Sequence, residues 1–305
     1  MTKTKKFGIG EWYGRLFKNL SIKERNELAV LAQKTVKAAQ EKCPFRSLPN
    51  HPFYCNKKGG VCSLILYEKN EHDEVFIPSG TNLVTTCPNR FYQDGLIFQE
   101  IGSELLNHKN PIILNEFSFL MENPGNKEND RETVGKIDTI LLSENKGEII
   151  EWCALEMQAV YFSGEGMQKD FKLLTMERSG LPFPIGQRRP DFRSSGPKRL
   201  MPQLQIKVPT LRRWGKKMAV VVDEEFFNSL GSMNQANHVS NADIIWFVID
   251  YDISRSPVEL RISRRCYTTL EHAVEGLTGG VPIPLPDFEH QIKKKLAKVK
   301  KLQTQ

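Results

Sequence analysis

Apolar residues recur at helical spacing early in the chain. Leu28, Leu31, Ala32, Val36 and Ala39 share one helical face. Ser21-Ile-Lys-Glu24 ahead of them is a capping-box pattern, so a helix is predicted from Ser21 to just before Cys43-Pro44. A second helix is predicted over Gly95–Leu106, where Leu96, Ile97, Ile101 and Leu105 are apolar. The pattern then turns strand-like. Pro111–Phe117 reads as a strand that delivers Glu116 near its end. Ile137–Leu142 and Ile149–Leu155 are β-prone, and Ser143-Glu-Asn-Lys-Gly147 between them supplies turn residues, which predicts a hairpin. Met218–Asp223 and Ala242–Asp250 are nearly continuous apolar runs, as buried strands are, and Val258–Arg264 alternates. Polar loops are predicted at Asn123–Glu132 and from Gly164 into a short helix ending near Met176, and a lysine-rich terminal helix from Asp287. Strands interleaved with helices in this way predict an α/β fold.

The hairpin carries the first candidate chemistry. Side chains alternate along a strand, so Glu156 and Gln158 share one face while Leu155 and Met157 take the other. If the two strands pair, Asp138 joins Glu156 at one polar point on an apolar ribbon. Buried like charges need a cation between them. Two carboxylates so placed suit Mg²⁺, which takes one or two protein carboxylates together with waters and substrate phosphate. The plainer reading is a pair of strand residues facing solvent, and the rest of the chain has to decide.

Composition narrows the choice. The chain has 305 residues, 39% of them hydrophobic, enough for one large domain with an appendage. No apolar run of about 18 residues is present to span a membrane, and the Lys-rich start has no signal-peptide pattern. The expected setting is cytoplasmic, where the six cysteines stay reduced. Four of them, Cys43, Cys55, Cys62 and Cys87, fall close together among Pro and Gly residues that make tight turns. Four thiolates suit tetrahedral Zn²⁺ or iron, although the short two-residue knuckles are missing, and a small reduced core is the alternative. His51 is an alternative ligand but reads more simply as a loop residue between prolines, and Cys153 and Cys266 read as core.

The net charge of +7 favours a polyanionic partner. It is concentrated between Gln187 and Lys217, where ten Lys and Arg meet a single acid, Asp191. Pro190, Pro197, Pro202 and Pro209 predict a largely non-helical segment there, either a solvated loop or a DNA-contacting one.

Several stretches together resemble the type II restriction endonucleases of the NotI/EagI family. They are Cys43-Pro-Phe, Gly60-Val-Cys62-Ser, Cys87-Pro-Asn-Arg90, Lys136-Ile-Asp138-Thr-Ile-Leu and Ala154-Leu-Glu156-Met-Gln158, followed by Pro202-Gln-Leu, Asn241–Asp250 and Leu260-Arg-Ile-Ser. The resemblance is collinear over most of the chain, and departs in length, in cysteine spacing and in the loop after Gln187. It implies a PD-(D/E)xK restriction-endonuclease-like core, a mixed sheet flanked by helices, over 95–305, with a small Cys₄ metal-binding subdomain within 1–94. It further implies Mg²⁺-dependent cleavage of double-stranded DNA at a palindromic GC-rich site, leaving 5′-phosphates. The acting unit would be a homodimer, with a DNA methyltransferase encoded alongside. Asp138 and Glu156 would be the metal carboxylates and Glu116 an additional acid. Gln158 stands where most such nucleases have Lys, and a neutral amide there only orients water. Cys43, Cys55, Cys62 and Cys87 would hold structural Fe or Zn. Among the basic residues, Arg188, Arg189, Arg193 and Arg199 would be candidates to read bases, and Lys198 and Lys207 to contact phosphates. Two other functions stay open: a DNA-binding protein with a metal ribbon and a decayed nuclease core, and a structure-directed repair nuclease.

Overall fold

The computed structural model describes residues 4–121, 133–176, 180–280 and 283–303; the loop expected at 123–132 lies outside them. The chain opens with β1 (Lys5–Trp12), β2 (Arg15–Leu16), α1 (Ile22–Ala32) and α2 (Val36–Ala39), then β3 (Val61–Lys69), β4 (Val75–Phe76) and β5 (Val84–Thr85). These strands form one sheet, ordered β2-β1-β3-β4 with β5 on β3. The predicted first helix exists but breaks at 33–35. Its capping box forms as read, with Ser21 accepting from the Glu24 amide and Glu24 accepting from that of Ser21.

Next come α3 (Leu96–Leu105), β6 (Ile112–Met121), β7 (Thr133–Asn145), β8 (Glu148–Met157), β9 (Tyr161–Gly164) and α4 (Gln168–Leu174). They are followed by β10 (Arg188–Asp191), α5 (Phe192–Ser195), α6 (Met201–Arg213), β11 (Met218–Asp223) and α7 (Glu224–Asn228). The chain finishes with β12 (Ile244–Asp252), β13 (Glu259–Thr268), α8 (Leu270–Thr278) and α9 (Leu285–Gln303). The main sheet has six strands in the order β13-β12-β11-β8-β7-β6. It is mixed: β11 is parallel to both β8 and β12, and the remaining pairs are antiparallel. The hairpin turn is only Lys146-Gly147, at φ +52° and +87°; two consecutive positive φ values are what a twisted two-residue hairpin demands, and Gly supplies one without strain.

The stretch from Phe192 to Arg213 corrects the non-helical expectation. It is helical throughout, with a wider π-type turn over Gly196–Leu200 between α5 and α6. Pro197 and Pro202 fall in the opening turn of their segments, where a missing N–H is tolerated. Pro209 lies inside α6 and forfeits one hydrogen bond. Burial of Leu204, Val208 and Leu211 on the opposite face outweighs that loss.

One apolar core runs through both sheets, from Trp12 and Leu64 to Val220, Phe247 and Leu277. The chain also returns to its own beginning. Lys6 donates to the Ile185 carbonyl, Arg25 to that of Gly180, and Asn26 to that of Thr175.

Candidate functional site

The rungs of β7 and β8 run from Asn145↔Glu148 to Thr139↔Leu155. Extending that register by one step sets Asp138 against Glu156, and the pairing stops just short of it. Glu156 instead pairs with Val220 of β11 on its other side. Across from β7, the rungs Asn115↔Thr139 and Phe117↔Ile137 leave Glu116 opposite Asp138. Glu116 adopts φ +62°, a left-handed conformation uncommon for a residue with a side chain and foreign to a regular strand. Three acidic residues on three neighbouring strands therefore occupy one row across the sheet. The hairpin expected from the sequence brings Asp138 and Glu156 onto one ammonium, and the register adds Glu116.

A lysine closes the row. Lys207 of α6 donates from Nζ to Asp138 Oδ2 at 3.0 Å and to Glu156 Oε2 at 2.8 Å. Asp138 is exposed at 63% of its side chain and Glu156 at 12%, whereas Lys207 shows only 2%. Burial pushes the Glu156 carboxyl up from its ordinary range, and nearby Asp138 adds to this, while the Lys207 ammonium pulls the other way. For Lys207, burial alone would lower the pKa, but the charges and hydrogen bonds of Glu156 and Asp138 outweigh it and hold the amine protonated. Expected on a DNA phosphate, Lys207 is thus found at the carboxylates. The signal that could have found it is the i, i+4, i+7 pattern of Leu204, Val208 and Leu211, which makes 201–213 a helix with Lys207, at i+3, on its buried side.

Gln158 is nearly buried. Its backbone N–H bonds the Val221 carbonyl, and its side-chain amide donates to the Ala159 carbonyl at 2.5 Å. Among the described residues no hydrogen bond joins that amide to Asp138 or Glu156.

The basic residues divide. Arg188 is corrected as a candidate base reader: it is buried, ion-paired with Asp170, and bonded to the carbonyls of Glu165, Phe7 and Gly166. Its donors are spent inside the fold, anchoring β10 to the N-terminal sheet. Arg189, Arg193, Lys198 and Arg199 remain exposed. The Arg199 guanidinium lies 3.7 Å from the ring centroid of Tyr161, in the strand that starts five residues after Glu156.

The four N-terminal cysteines lie on neighbouring, hydrogen-bonded segments. Cys43 N–H bonds the Phe53 carbonyl and Cys55 N–H that of Glu41, so two segments pair; Cys62 and Cys87 are tied by a 3.1 Å backbone hydrogen bond. Cys43, Cys62 and Cys87 are buried and Cys55 is partly so. Burial raises the thiols of Cys55, Cys62 and Cys87, each close enough to feel charge on another of the four. Lys57 extends its ammonium among Cys55, Cys62 and Cys87 and donates to the Thr86 carbonyl. The donor chemistry fits a thiophilic metal, which would take these sulfurs as thiolates; without one, burial favours the neutral thiols and lowers the Lys57 ammonium from its ordinary range. Among the described residues, however, no group of three or more His, Cys, Asp or Glu forms a ready ligand shell. Cys153 and Cys266 are buried in strands, as core residues.

Compared with known families, residues 27–261 match the model described as restriction endonuclease NotI. That span takes in the four cysteines, the acidic row and Lys207. No curated protein matches the chain. The chain belongs to the NotI restriction endonuclease family and is a type II site-specific deoxyribonuclease that binds and cleaves double-stranded DNA.

Proposed function

We propose that the chain hydrolyses the phosphodiester bonds of a palindromic, GC-rich site in a Mg²⁺-dependent reaction that leaves 5′-phosphates. The observation carrying this reading is the Asp138–Glu156 pair at the end of the β7–β8 ladder, held by one ammonium. Asp138 and Glu156 would hold the Mg²⁺, with Glu116 near enough in register to assist. Bound there, the cation would stabilise charge developing on the phosphoryl oxygens and favour ionisation of the attacking water. Asp138, the exposed member, faces the incoming phosphate, while Glu156 is fixed within the sheet between β7 and β11. Gln158 is a neutral group with only hydrogen bonds to offer. The six-stranded sheet is read as a PD-(D/E)xK core over 95–305.

In the same reading Cys43, Cys55, Cys62 and Cys87, within 1–94, bind one structural Fe or Zn. Four protein ligands leave no open position for chemistry. Arg189, Arg193, Lys198 and Arg199 supply exposed charge for DNA; arginine suits guanine edges and lysine suits phosphates. The acting unit is a homodimer, since one site cuts one strand and two-fold symmetry aligns a site with each strand of a palindrome.

The test is cleavage of a randomised duplex library with end sequencing, with and without Mg²⁺. Asp138→Ala and Glu156→Ala should abolish cleavage yet keep target binding, because each removes a metal ligand and not a DNA contact. Full activity in Glu156→Ala would end the assignment. Binding without any Mg²⁺-dependent cutting would favour a decayed core, and cutting without a fixed sequence a structure-directed nuclease.

A further inference from the structure

We propose that Lys207 is the positioning residue of the active site: its ammonium is the fixed positive charge that joins Asp138 to Glu156, a charge Gln158 cannot supply. The inference rests on the reading of Asp138 and Glu156 as the catalytic pair.

The geometry carries it. A lysine 2% exposed is rare unless paired, and this one reaches both carboxylates, at 3.0 and 2.8 Å. It comes from a rigid element. Leu204, Val208 and Leu211 pin α6 to the core on either side of Lys207 in sequence, so Nζ is delivered to a set place. The residue two positions past Glu156 is neutral and turned to the Ala159 carbonyl, leaving the row without a cation from its own strand. Asp138 and Glu156 lie one step past the last β7–β8 rung, Thr139↔Leu155, which sets their backbones side by side but leaves the spacing of the two carboxylates to be fixed. Lys207 fixes it by bonding one oxygen of each. A site assembled before metal and DNA arrive needs less rearrangement during the reaction.

The same bonds have an opposing consequence. The ammonium occupies oxygens that a divalent cation also seeks, so removing it should strengthen metal binding while weakening catalysis. A side chain serving only stability would not separate those two effects.

The experiment uses the full chain with Lys207→Gln, Lys207→Met and Lys207→Arg, beside Gln158→Ala and Glu156→Ala. Three quantities are read: cleavage rate at saturating Mg²⁺, Mg²⁺ affinity by calorimetry without DNA, and the thermal midpoint with and without Mg²⁺. Lys207→Gln should cut about 100-fold more slowly, the scale of losing one preorganised electrostatic group. Its Mg²⁺ dissociation constant should fall at least about threefold as the competing ammonium disappears. Its midpoint should drop in metal-free buffer and recover on adding Mg²⁺, while that of the parent moves less. Lys207→Arg should keep more activity than Lys207→Gln, and Gln158→Ala should lose less than about 10-fold. If Lys207→Met does not fold, Lys207→Gln, which retains a donor, carries the comparison. An inactive Glu156→Ala beside a Lys207→Gln with parental cleavage and parental Mg²⁺ affinity overturns the role of Lys207 alone. A fully active Glu156→Ala overturns the catalytic reading itself and this inference with it.

Discussion

Replacing Arg90 with Met should destabilise the fold more than any surface change does. Arg90 and Glu11 are both fully buried, and Arg90 Nε reaches the two Glu11 carboxylate oxygens at 3.0 and 2.9 Å. The other guanidinium nitrogens bond Gln93 Oε1 at 2.7 Å and the Val258 carbonyl at 3.3 Å. The rings of Phe45 and Tyr251 lie 4.5 and 4.6 Å from the guanidinium. One side chain thus ties β1, the cysteine segment and the β12–β13 connection together. Met fills much of the volume but leaves Glu11 with Ser63 Oγ, at 3.1 Å, as its remaining side-chain partner. Breaking one half of a buried pair costs about 3–5 kcal/mol, because a buried charge is left uncompensated. Gln93 softens this slightly, since its own amide still donates to the Val258 carbonyl at 3.0 Å. Urea denaturation at fixed pH measures the loss as a fall in midpoint with unchanged slope. The double variant Glu11→Gln/Arg90→Met should recover about 2 kcal/mol or more, because the stranded charge is gone. An Arg90→Met protein within about 1 kcal/mol of the parent would refute the reasoning.

Two further outcomes are expected. Protein purified without chelator should carry about one tightly held Fe or Zn per chain, independent of added Mg²⁺, and any single Cys→Ser change at the four positions should lower stability first; absence of metal would count against the site. Asp223 is wholly buried, and burial lifts its carboxyl from the usual range to about 7, against the pull of the Phe226 and Thr85 N–H groups. Its folded pKa lies above its unfolded one, so the stability it gives is complete at acid pH and is lost as pH rises towards about 7. The slope is at most about 1.4 kcal/mol per pH unit. Asp223→Asn should flatten that part of the stability profile, and an unchanged slope by denaturant titration would rule this origin out.

What the sequence shows and what it hides follow from distance along the chain. The hairpin and the α1 cap were legible because their determinants are local: alternation, a turn ending in Gly147, and Ser21 three residues ahead of Glu24. The strands at Met218 and Ile244 were legible because burial on both faces leaves an unbroken apolar run. The basic segment misled for the opposite reason. Its prolines are a strong local signal against helix, and tertiary burial of Leu204, Val208 and Leu211 overrode it. Charge type also says nothing about partner: Arg188 and Lys207 look like their exposed neighbours in sequence, yet one is spent on Asp170 and the other on Asp138 and Glu156. Only the fold, bringing residues 18 to 69 positions apart into contact, separates them.

If Asp138 and Glu156 are the catalytic pair, as proposed, the acidic row also sets the side from which a phosphate would come. Lys207 and Glu156 are enclosed by α6 and by β11, and Asp138 is the member open to solvent. A polyanion approaching from the α6 side would meet a packed helix; from the β7 side it meets Asp138 and, in the neighbouring strand, Glu116. Two or three carboxylates repel a phosphodiester unless cations intervene, and one ammonium only partly balances them. In the proposed reading, that residual negative charge would call for a divalent cation at the open side, where waters and substrate oxygens could complete its coordination. In the same reading the exposed Arg199, stacked on Tyr161 five residues beyond Glu156, would offer a positive contact outside the row, for the part of the DNA backbone that the carboxylates would otherwise push away.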